Sequence, residues 1–165
     1  MPDHSPRLHI LCGKAASGKS TLGQQLASAP LTVLISEDHW LSTLFGDRIQ
    51  ILADYSTYSG ILKSAMKPHT ISLLQSGMSV VLDFPANTLE QRNWMREILD
   101  ESGVEHTLHY LDVSDAECKE RLKRRNLSGI HPFEVSEELF DRLVEYFVPP
   151  HENEGFNICT YKSDL

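Results

Sequence analysis

Short apolar runs recur along the chain, and longer segments with apolar residues at helical spacing separate them. Each run is too short for three helical turns and stops at a glycine or a polar residue, which favours buried strands. The runs cover residues 8–12, 31–35, 79–83, 104–113 and about 156–161. Strands that are apolar throughout and alternate with helices predict a parallel sheet covered on both faces. The pattern therefore predicts an α/β fold.

The segments between these runs carry helix start and stop signals. Two of them open on a Thr or Ser followed three residues later by Gln or Glu, the spacing of a capping box. The predicted helices cover residues 19–29, about 49–76, 88–103, 114–129 and 136–148. Pro68 is a candidate break in the second of them.

Ligands of such sheets gather beyond the carboxyl ends of the strands. Four strand exits therefore need attention, and they lie from residue 13, at 36–39, at 83–87 and from residue 112. The sequence predicts a functional site built from these segments.

Length and composition are those of one globular domain. The chain has 165 residues, of which 41% are hydrophobic and 23% charged, and no repeat or biased tract is evident. The first ten residues lack the pattern of a signal peptide, and no apolar stretch is long enough to span a membrane. We expect a single domain over residues 1–165, located in the cytoplasm and without a membrane anchor.

The net charge and the positions of cysteine and histidine residues disfavour some classes of function. The net charge is −8, from 15 Lys and Arg against 23 Asp and Glu, which disfavours broad nucleic-acid binding. Cys12, Cys118 and Cys159 have no zinc-site spacing and are expected to be free thiols. His106 and His109, the closest histidine pair, stand at odd spacing in a predicted strand, so they should point to opposite faces. We expect no metal site made of histidines.

The strongest motif is GKAASGKS at residues 13–20, which matches GxxxxGK[ST] between a predicted strand and a predicted helix. In that position the loop N–H groups and the first amides of the helix converge on an anion. Gly13 and Gly18 permit close approach of phosphate, Lys19 would reach the β- and γ-phosphates, and Ser20 would bind Mg²⁺. The residues expected to hold the nucleotide are Gly13, Lys14, Ala15, Ala16, Ser17, Gly18, Lys19, Ser20 and Thr21. The alternative is a glycine-rich helix start with an exposed lysine.

A bound triphosphate is compatible with a kinase, a GTPase switch or a motor-type ATPase. A guanine-reading NKxD stretch is missing from the sequence, and 165 residues leave little room for the interface elements of a motor. A kinase needs only a base for the acceptor hydroxyl, a Mg²⁺ site and cations around the transferred phosphoryl group. The sequence therefore favours a kinase that uses ATP and Mg²⁺.

Acidic residues stand at two strand exits. Glu37 and Asp38 follow the second predicted strand, where one of them could accept the proton of an acceptor hydroxyl; alternatively both cap the next helix. Asp83 ends the third run at the position of a Walker-B-like acid that helps to order Mg²⁺; alternatively it is a turn or N-cap residue.

A cluster of cations stands in the predicted helix at 114–129. Arg121 and Arg125 are four residues apart and share one helical face, which suggests a lid over the phosphates; the alternative is a solvated basic face.

Five segments occur along the chain in the order GKAASGKS, LISEDHW, VVLDFPANTLEQR, ERLKRRN and EGFNI. Together they resemble the P-loop kinase family that includes polynucleotide 5′-kinases, chloramphenicol phosphotransferase and the zeta toxins. The resemblance spans nearly the whole chain. It implies a three-layer P-loop NTPase fold of the nucleoside-monophosphate-kinase type. Such a fold has a five-stranded parallel sheet of order 2-3-1-4-5, helices on both faces and a short lid.

The resemblance also implies roles for individual residues. The family's catalytic aspartate falls on Asp38 rather than Glu37, and the acid that ends the third strand falls on Asp83. The matching polar positions after it are Asn87 and Arg92, and the lid arginines are Arg121 and Arg125, with Arg124 as a competitor.

The sequence departs from the family pattern at one position that concerns the kind of acceptor. Polynucleotide kinases often carry an arginine three residues after the catalytic aspartate, and that position here is Leu41. His39 and Trp40 follow the candidate base instead and could line an acceptor pocket, although Trp40 could equally be core.

These observations lead to the hypothesis of an ATP- and Mg²⁺-dependent phosphotransferase acting on a hydroxyl of a small-molecule acceptor. The candidate catalytic residues are Asp38, Lys19, Arg121 and Arg125, and the candidate metal ligands are Ser20 and Asp83. The alternatives are a nucleotide-binding regulatory module without an acceptor and a nucleic-acid 5′-hydroxyl kinase.

Overall fold

The computed structural model describes residues 4–130 and 133–163. Five strands in this part of the chain form one sheet in the order β2-β3-β1-β4-β5, and every pair of neighbours is parallel. The strands are β1 (Arg7–Cys12), β2 (Thr32–Ser36), β3 (Ser79–Asp83), β4 (Glu105–Asp112) and β5 (Ile158–Lys162). The predicted α/β class and strand order are confirmed.

Six α-helices cover both faces of this sheet within the described residues. They are α1 (Lys19–Ala27), α2 (Glu37–Phe45), α3 (Leu52–Gln75), α4 (Leu89–Ser102), α5 (Asp115–Ser128) and α6 (Glu137–Glu145). Short 3₁₀ turns lie at Gly46–Arg48 and Glu152–Glu154. None of these helices combines the length and apolar character needed to cross a bilayer.

Alternate residues of the strands build two separate cores, as the period of two in a strand requires. On one face Leu8, Ile10 and Leu108 pack in the larger core with residues of α3 and α4. On the other face Leu111 joins a smaller core with α5 and α6. The interior strand β3 is buried from Ser79 to Leu82, and only its last residue, Asp83, is partly exposed at the carboxyl edge.

The region after β2 differs from the prediction. A separate helix, α2, begins directly at Glu37, and α3 begins at Leu52 rather than near residue 49. The Ser36 hydroxyl accepts a hydrogen bond from the His39 amide at 3.3 Å and caps α2. A helix of this length has too few turns for the spacing of apolar residues to reveal it. The only sequence signal for its start is the capping residue, Ser36.

Pro68 does not interrupt α3, which is continuous over its 24 residues. Proline removes one backbone hydrogen bond, but the helix is held by the buried side chains of Leu62, Met66 and Leu74 on its inner face. Pro68 itself lies on the exposed side.

Of the two predicted capping boxes, only the first is complete. The Gln91 amide donates to Thr88 Oγ1 at 3.2 Å, and the Gln91 side chain accepts from the Thr88 amide at 3.2 Å. Ser114 caps α5 through the Glu117 amide at 3.3 Å, but the Glu117 carboxylate turns away to other partners. The prediction of a box at Ser114 was therefore wrong in its second half.

Candidate active site

The connection between β1 and α1, residues 13–18, is called the glycine loop below. A turn closes it through the Ser17 amide and the Lys14 carbonyl at 3.1 Å. Ala16 and Gly18 both have a positive φ, of 60° and 102°, so the chain winds tightly before α1 begins. Gly18 is the N-cap of α1 and brings no side chain to its first amides. Those amides therefore face the loop as donors for an anion.

The start of the glycine loop is fixed from the side by the segment after β3. The Gly13 amide donates to Asn87 Oδ1 at 3.0 Å, and the Asn87 carbonyl accepts from the Val148 amide at 2.8 Å. The sequence identifies Asn87 only as a polar position that matches the family pattern. In the structure its side chain holds the start of the glycine loop in place.

Lys19 reaches back across the glycine loop. Its Nζ donates to the Gly13 carbonyl at 2.6 Å and to the Lys14 carbonyl at 2.9 Å. Burial lowers the pKa of Lys19, whereas the nearby carboxylates of Asp83 and Asp38 raise it. The ammonium group therefore lies between the loop and two acids.

Ser20 and Asp83, the candidate metal ligands, are in direct contact. Ser20 Oγ donates to Asp83 Oδ2 at 3.1 Å. This pairing follows from the topology, because β3 lies beside β1 and its last residue reaches the start of α1. Burial raises the pKa of Asp83, while Lys19 and the Ser20 hydroxyl act in the opposite direction. A hydroxyl beside a carboxylate is the oxygen donor set that Mg²⁺ prefers, so these residues fit the ion.

The two acids after β2 point in different directions. Glu37 is 1% exposed and accepts hydrogen bonds of 2.5 Å from the Tyr55 hydroxyl and from the Ser59 hydroxyl of α3. Burial raises the pKa of Glu37. Asp38 is exposed, and its negative charge acts on Lys19 and on Arg125. Glu37 therefore joins α2 to α3, whereas Asp38 is exposed and its charge influences Lys19 and Arg125.

The arginines of α5 also differ in their contacts and their exposure. Arg121 Nη1 donates to the Ser17 carbonyl at 3.3 Å, so this side chain lies against the glycine loop. Arg125 is partly buried, and its Nε has no hydrogen-bond partner among the described residues. Burial lowers the pKa of Arg125, and Asp38 raises it. Arg124 is 74% exposed and pairs with Glu120 at 3.2 Å, pointing away from the loop.

The remaining predicted residues lie around this group. Lys14 Nζ donates to the Val113 carbonyl at 3.2 Å and pairs with Asp115, so it joins the glycine loop to the start of α5. Thr21 is exposed on α1. The Ser17 hydroxyl is buried without a hydrogen-bond partner among the described residues.

Arg92 is a structural residue. Its guanidinium is buried and donates to Glu154 at 2.8 Å, and to the carbonyls of Ala86 and Val148 at 2.9 Å each. These bonds hold the segment after β3 against the segment after α6. The buried arginine therefore stabilises the segment that carries Asn87, the residue that holds the start of the glycine loop.

Leu41, at the position where polynucleotide kinases often carry an arginine, is fully buried in the larger core. It therefore presents no charge to an acceptor. His39 and Trp40 are both exposed.

Sequence reasoning missed the partners that orient these side chains. Tyr55 and Ser59 stand four residues apart on α3, and Glu117 stands four residues before Arg121 on α5. The second pair has the spacing of a helical ion pair and could have been found. The first pair could not, because nothing in the sequence relates α3 to Glu37.

Three solved structures illustrate the similarity of the fold. A candidate kinase from Chloroflexus aurantiacus J-10-fl superimposes with a TM-score of 0.74 at 22% identity over 97% of this chain and 86% of that one. Kti12 of Chaetomium thermophilum with ADP-AlF3 gives 0.68 at 16% identity over 95% and 89%. The Mycobacterium tuberculosis APS kinase CysC with AMPPNP and APS gives 0.64 at 15% identity over 98% and 90%.

No curated protein matches the sequence. Residues 8–150, most of the chain, match the AAA domain family. The glycine loop, the parallel sheet of order 2-3-1-4-5 and the kinases among the similar structures agree with that match. The chain therefore belongs to the AAA domain family and has a P-loop kinase-like fold.

Proposed function

We propose that this protein is an ATP- and Mg²⁺-dependent phosphotransferase that moves the γ-phosphate to a hydroxyl of a small-molecule acceptor. One observation carries the proposal: the exposed carboxylate of Asp38 lies in the first turn of α2, directly after β2, whose last residue Ser36 pairs with the candidate metal ligand Asp83 of β3. A protein that only binds nucleotide needs the glycine loop and the Ser20–Asp83 pair. It has no need of an exposed acid at the exit of the strand beside β3.

In the proposed reaction, Asp38 accepts the proton of the acceptor hydroxyl as its oxygen attacks the γ-phosphorus. A new bond forms between phosphorus and the acceptor oxygen, and the bond to the bridging oxygen of ADP breaks. Lys19 leaves the carbonyls of Gly13 and Lys14 and binds the β- and γ-phosphates instead.

The remaining groups balance the charge of the transferred phosphoryl group. Ser20 and Asp83 would hold Mg²⁺, which supplies electrostatic stabilisation of the phosphate oxygens. Arg121, which contacts the glycine loop at Ser17, and Arg125, one turn further along α5, would supply guanidinium groups where negative charge develops. Arg125 is suited to this role because its Nε is buried without a partner among residues 4–130 and 133–163.

The acceptor is proposed to be a small molecule and not a nucleic-acid end. The net charge of −8 and the buried Leu41 both oppose binding of a polyanionic strand.

The test is a screen for acceptor-stimulated ADP release from ATP over metabolites, antibiotics and a 5′-hydroxyl oligonucleotide. We expect at least one small hydroxyl compound to raise the rate above basal hydrolysis, and the oligonucleotide to have no effect. Stimulation by the oligonucleotide alone would replace the small-molecule acceptor by a nucleic-acid end. Tight ATP binding with no stimulation by any compound would favour the regulatory module.

A further inference from the structure

Glu117 holds a guanidinium group on one side and a hydroxyl group on the other. It lies in the first turn of α5, and its side chain is 13% exposed. Its Oε1 accepts from Arg121 Nη2, and its Oε2 accepts from the Ser163 hydroxyl just beyond β5. Both oxygens of the carboxylate are therefore engaged, and the contacts join α5 to the end of the sheet.

Arg121 is held from a second direction by the glycine loop. Its Nη1 donates to the Ser17 carbonyl at 3.3 Å and lies 3.9 Å from the position of a Cβ on Gly18. The guanidinium is thus fixed where the glycine loop meets the first turn of α1. A guanidinium has five N–H donors, and these two bonds leave three for a ligand.

A neighbouring pair on the same helix shows that the spacing alone does not produce this arrangement. Arg124 and Glu120 are also four residues apart, at 3.2 Å, but their side chains are 74% and 59% exposed. The Arg121 and Glu117 side chains are 39% and 13% exposed. An exposed arginine loses much rotamer freedom when it binds phosphate, and a carboxylate that orients it beforehand reduces that loss.

We propose that Glu117 is a positioning residue for Arg121, and that Ser163 in turn fixes Glu117. The carboxylate keeps the guanidinium against Ser17, with its remaining donors directed to the γ-phosphate of a bound triphosphate. The inference rests on the proposed function for the presence of that triphosphate, but it concerns binding and not transfer.

The test is a double-mutant cycle read by nucleotide affinity, which does not depend on any acceptor. Isothermal titration with AMPPNP and with ADP is performed on the unaltered protein, Glu117→Ala, Arg121→Ala and the double variant. Glu117→Ala should weaken AMPPNP binding by about fivefold to tenfold and ADP binding by less than about twofold. The double variant should bind AMPPNP no more weakly than Arg121→Ala alone.

Three further variants separate positioning from general damage. Glu120→Ala removes the exposed pair of the same spacing and should change neither affinity. Glu117→Gln keeps an acceptor oxygen for Arg121 and should restore most of the AMPPNP affinity. Ser163→Ala removes only the hydroxyl behind Glu117 and should weaken AMPPNP binding by about twofold to threefold, which keeps the test decisive if Glu117→Ala fails to fold.

Several results would overturn the inference. Independent, additive losses from Glu117→Ala and Arg121→Ala would show that the two side chains do not act together. Tighter AMPPNP binding by Glu117→Ala would identify the pair as a latch that withholds the arginine. Failure of the unaltered protein to bind AMPPNP would overturn both this inference and the proposed function. Binding with intact coupling but no transfer to any acceptor would overturn the proposed function alone.

Discussion

Gly13 lies where a larger side chain has no room. A Cβ there would stand 2.4 Å from Ser17 Oγ and 3.3 Å from Leu111 Cβ. Gly13→Ala should therefore distort the glycine loop, lower the free energy of unfolding by about 1–3 kcal/mol and abolish triphosphate binding. Thermal unfolding and nucleotide titration measure the two effects.

The control for that substitution is Gly46→Ala. A Cβ on Gly46 meets nothing within 4 Å, and its φ of −47° suits any residue. Stability should stay the same or rise slightly, because alanine restricts the unfolded chain. Normal nucleotide affinity in Gly13→Ala would show that the glycine loop does not need this close approach.

Arg125 and Arg124 are adjacent in sequence but differ in surroundings, which makes them a matched pair. Arg125→Ala should lower acceptor-dependent turnover by about tenfold or more, since a partly buried cation whose Nε has no partner among the described residues is lost. Arg124→Ala removes only an exposed ion pair and should stay within about twofold of the unaltered protein. Steady-state rates at saturating ATP make the comparison, and equal losses in both variants would contradict the assignment.

The different surroundings of these residues could not be predicted from the sequence. The arginines 121, 124 and 125 all stand in one basic helix, and only the packing of α5 on the glycine loop separates them. In the same way, position after β2 does not by itself distinguish Glu37 from Asp38, and only the family resemblance favours Asp38. Their separation depends on Tyr55 and Ser59, which lie 18 and 22 residues away. Motif spacing locates the glycine loop, but tertiary contacts decide which neighbouring side chain faces it.

At the scale of elements, α3 carries an internal proline that it does not need for packing. Pro68 is exposed and deprives the Ser64 carbonyl of its helical N–H partner. Pro68→Ala should raise the free energy of unfolding by about 1–3 kcal/mol. The substitution removes the cost of a proline inside a helix, but part of this gain is lost because alanine leaves the unfolded chain more conformational entropy than proline does. Urea unfolding measures the change.

The control on the same helix is His69→Ala, at the next exposed position. It should change stability by only a few tenths of a kcal/mol, the difference in helix propensity. Destabilisation by Pro68→Ala would mean that the proline shapes α3 in a way that the pattern of buried residues does not reveal.

The elements themselves were largely predictable. All five strands follow from short apolar runs that stop at a glycine or a polar residue, and α4 follows from its complete capping box at Thr88. The exceptions are local. Leu31 adopts a positive φ of 53°, so β2 begins one residue later than its apolar run, and α2 is too short to show a periodic face.

At the scale of the whole molecule, a chain of hydrogen-bonded rings centred on the buried His109 links three strands of the sheet. His9 Nδ1 lies 3.0 Å from His109 Nε2, and His109 Nδ1 lies 2.9 Å from the Tyr161 hydroxyl. Burial lowers the pKa of His109 to about 4, with the charges of His9 and Arg7 acting in the same direction. Burial also lowers the pKa of His9.

This cluster predicts a loss of stability in mild acid. Between about pH 6.5 and pH 4 the unfolded chain binds protons at these histidines that the folded chain does not. The contribution is therefore fully present above pH 6.5 and declines as the pH falls, by an amount on the order of 1–3 kcal/mol for His109. Urea unfolding of the unaltered protein and His109→Gln at several pH values measures the difference in slope.

The exposed His69 supplies the control for this slope. His69→Gln should keep the pH dependence of the unaltered protein, whereas His109→Gln should flatten it. Parallel curves for the unaltered protein and His109→Gln would show that the buried cluster does not contribute.

In the proposed reaction, Asp38 directs the γ-phosphate to an acceptor. The most direct measurement follows labelled γ-phosphate from ATP to the acceptor found in the screen, for the unaltered protein, Asp38→Asn and the control Asp47→Asn, which changes another exposed acid nearby. We predict transfer of label to the acceptor hydroxyl, a loss of about 10²–10⁴ in rate for Asp38→Asn with unchanged ATP affinity, and no loss for Asp47→Asn. Equal transfer rates in the unaltered protein and Asp38→Asn would contradict the claim.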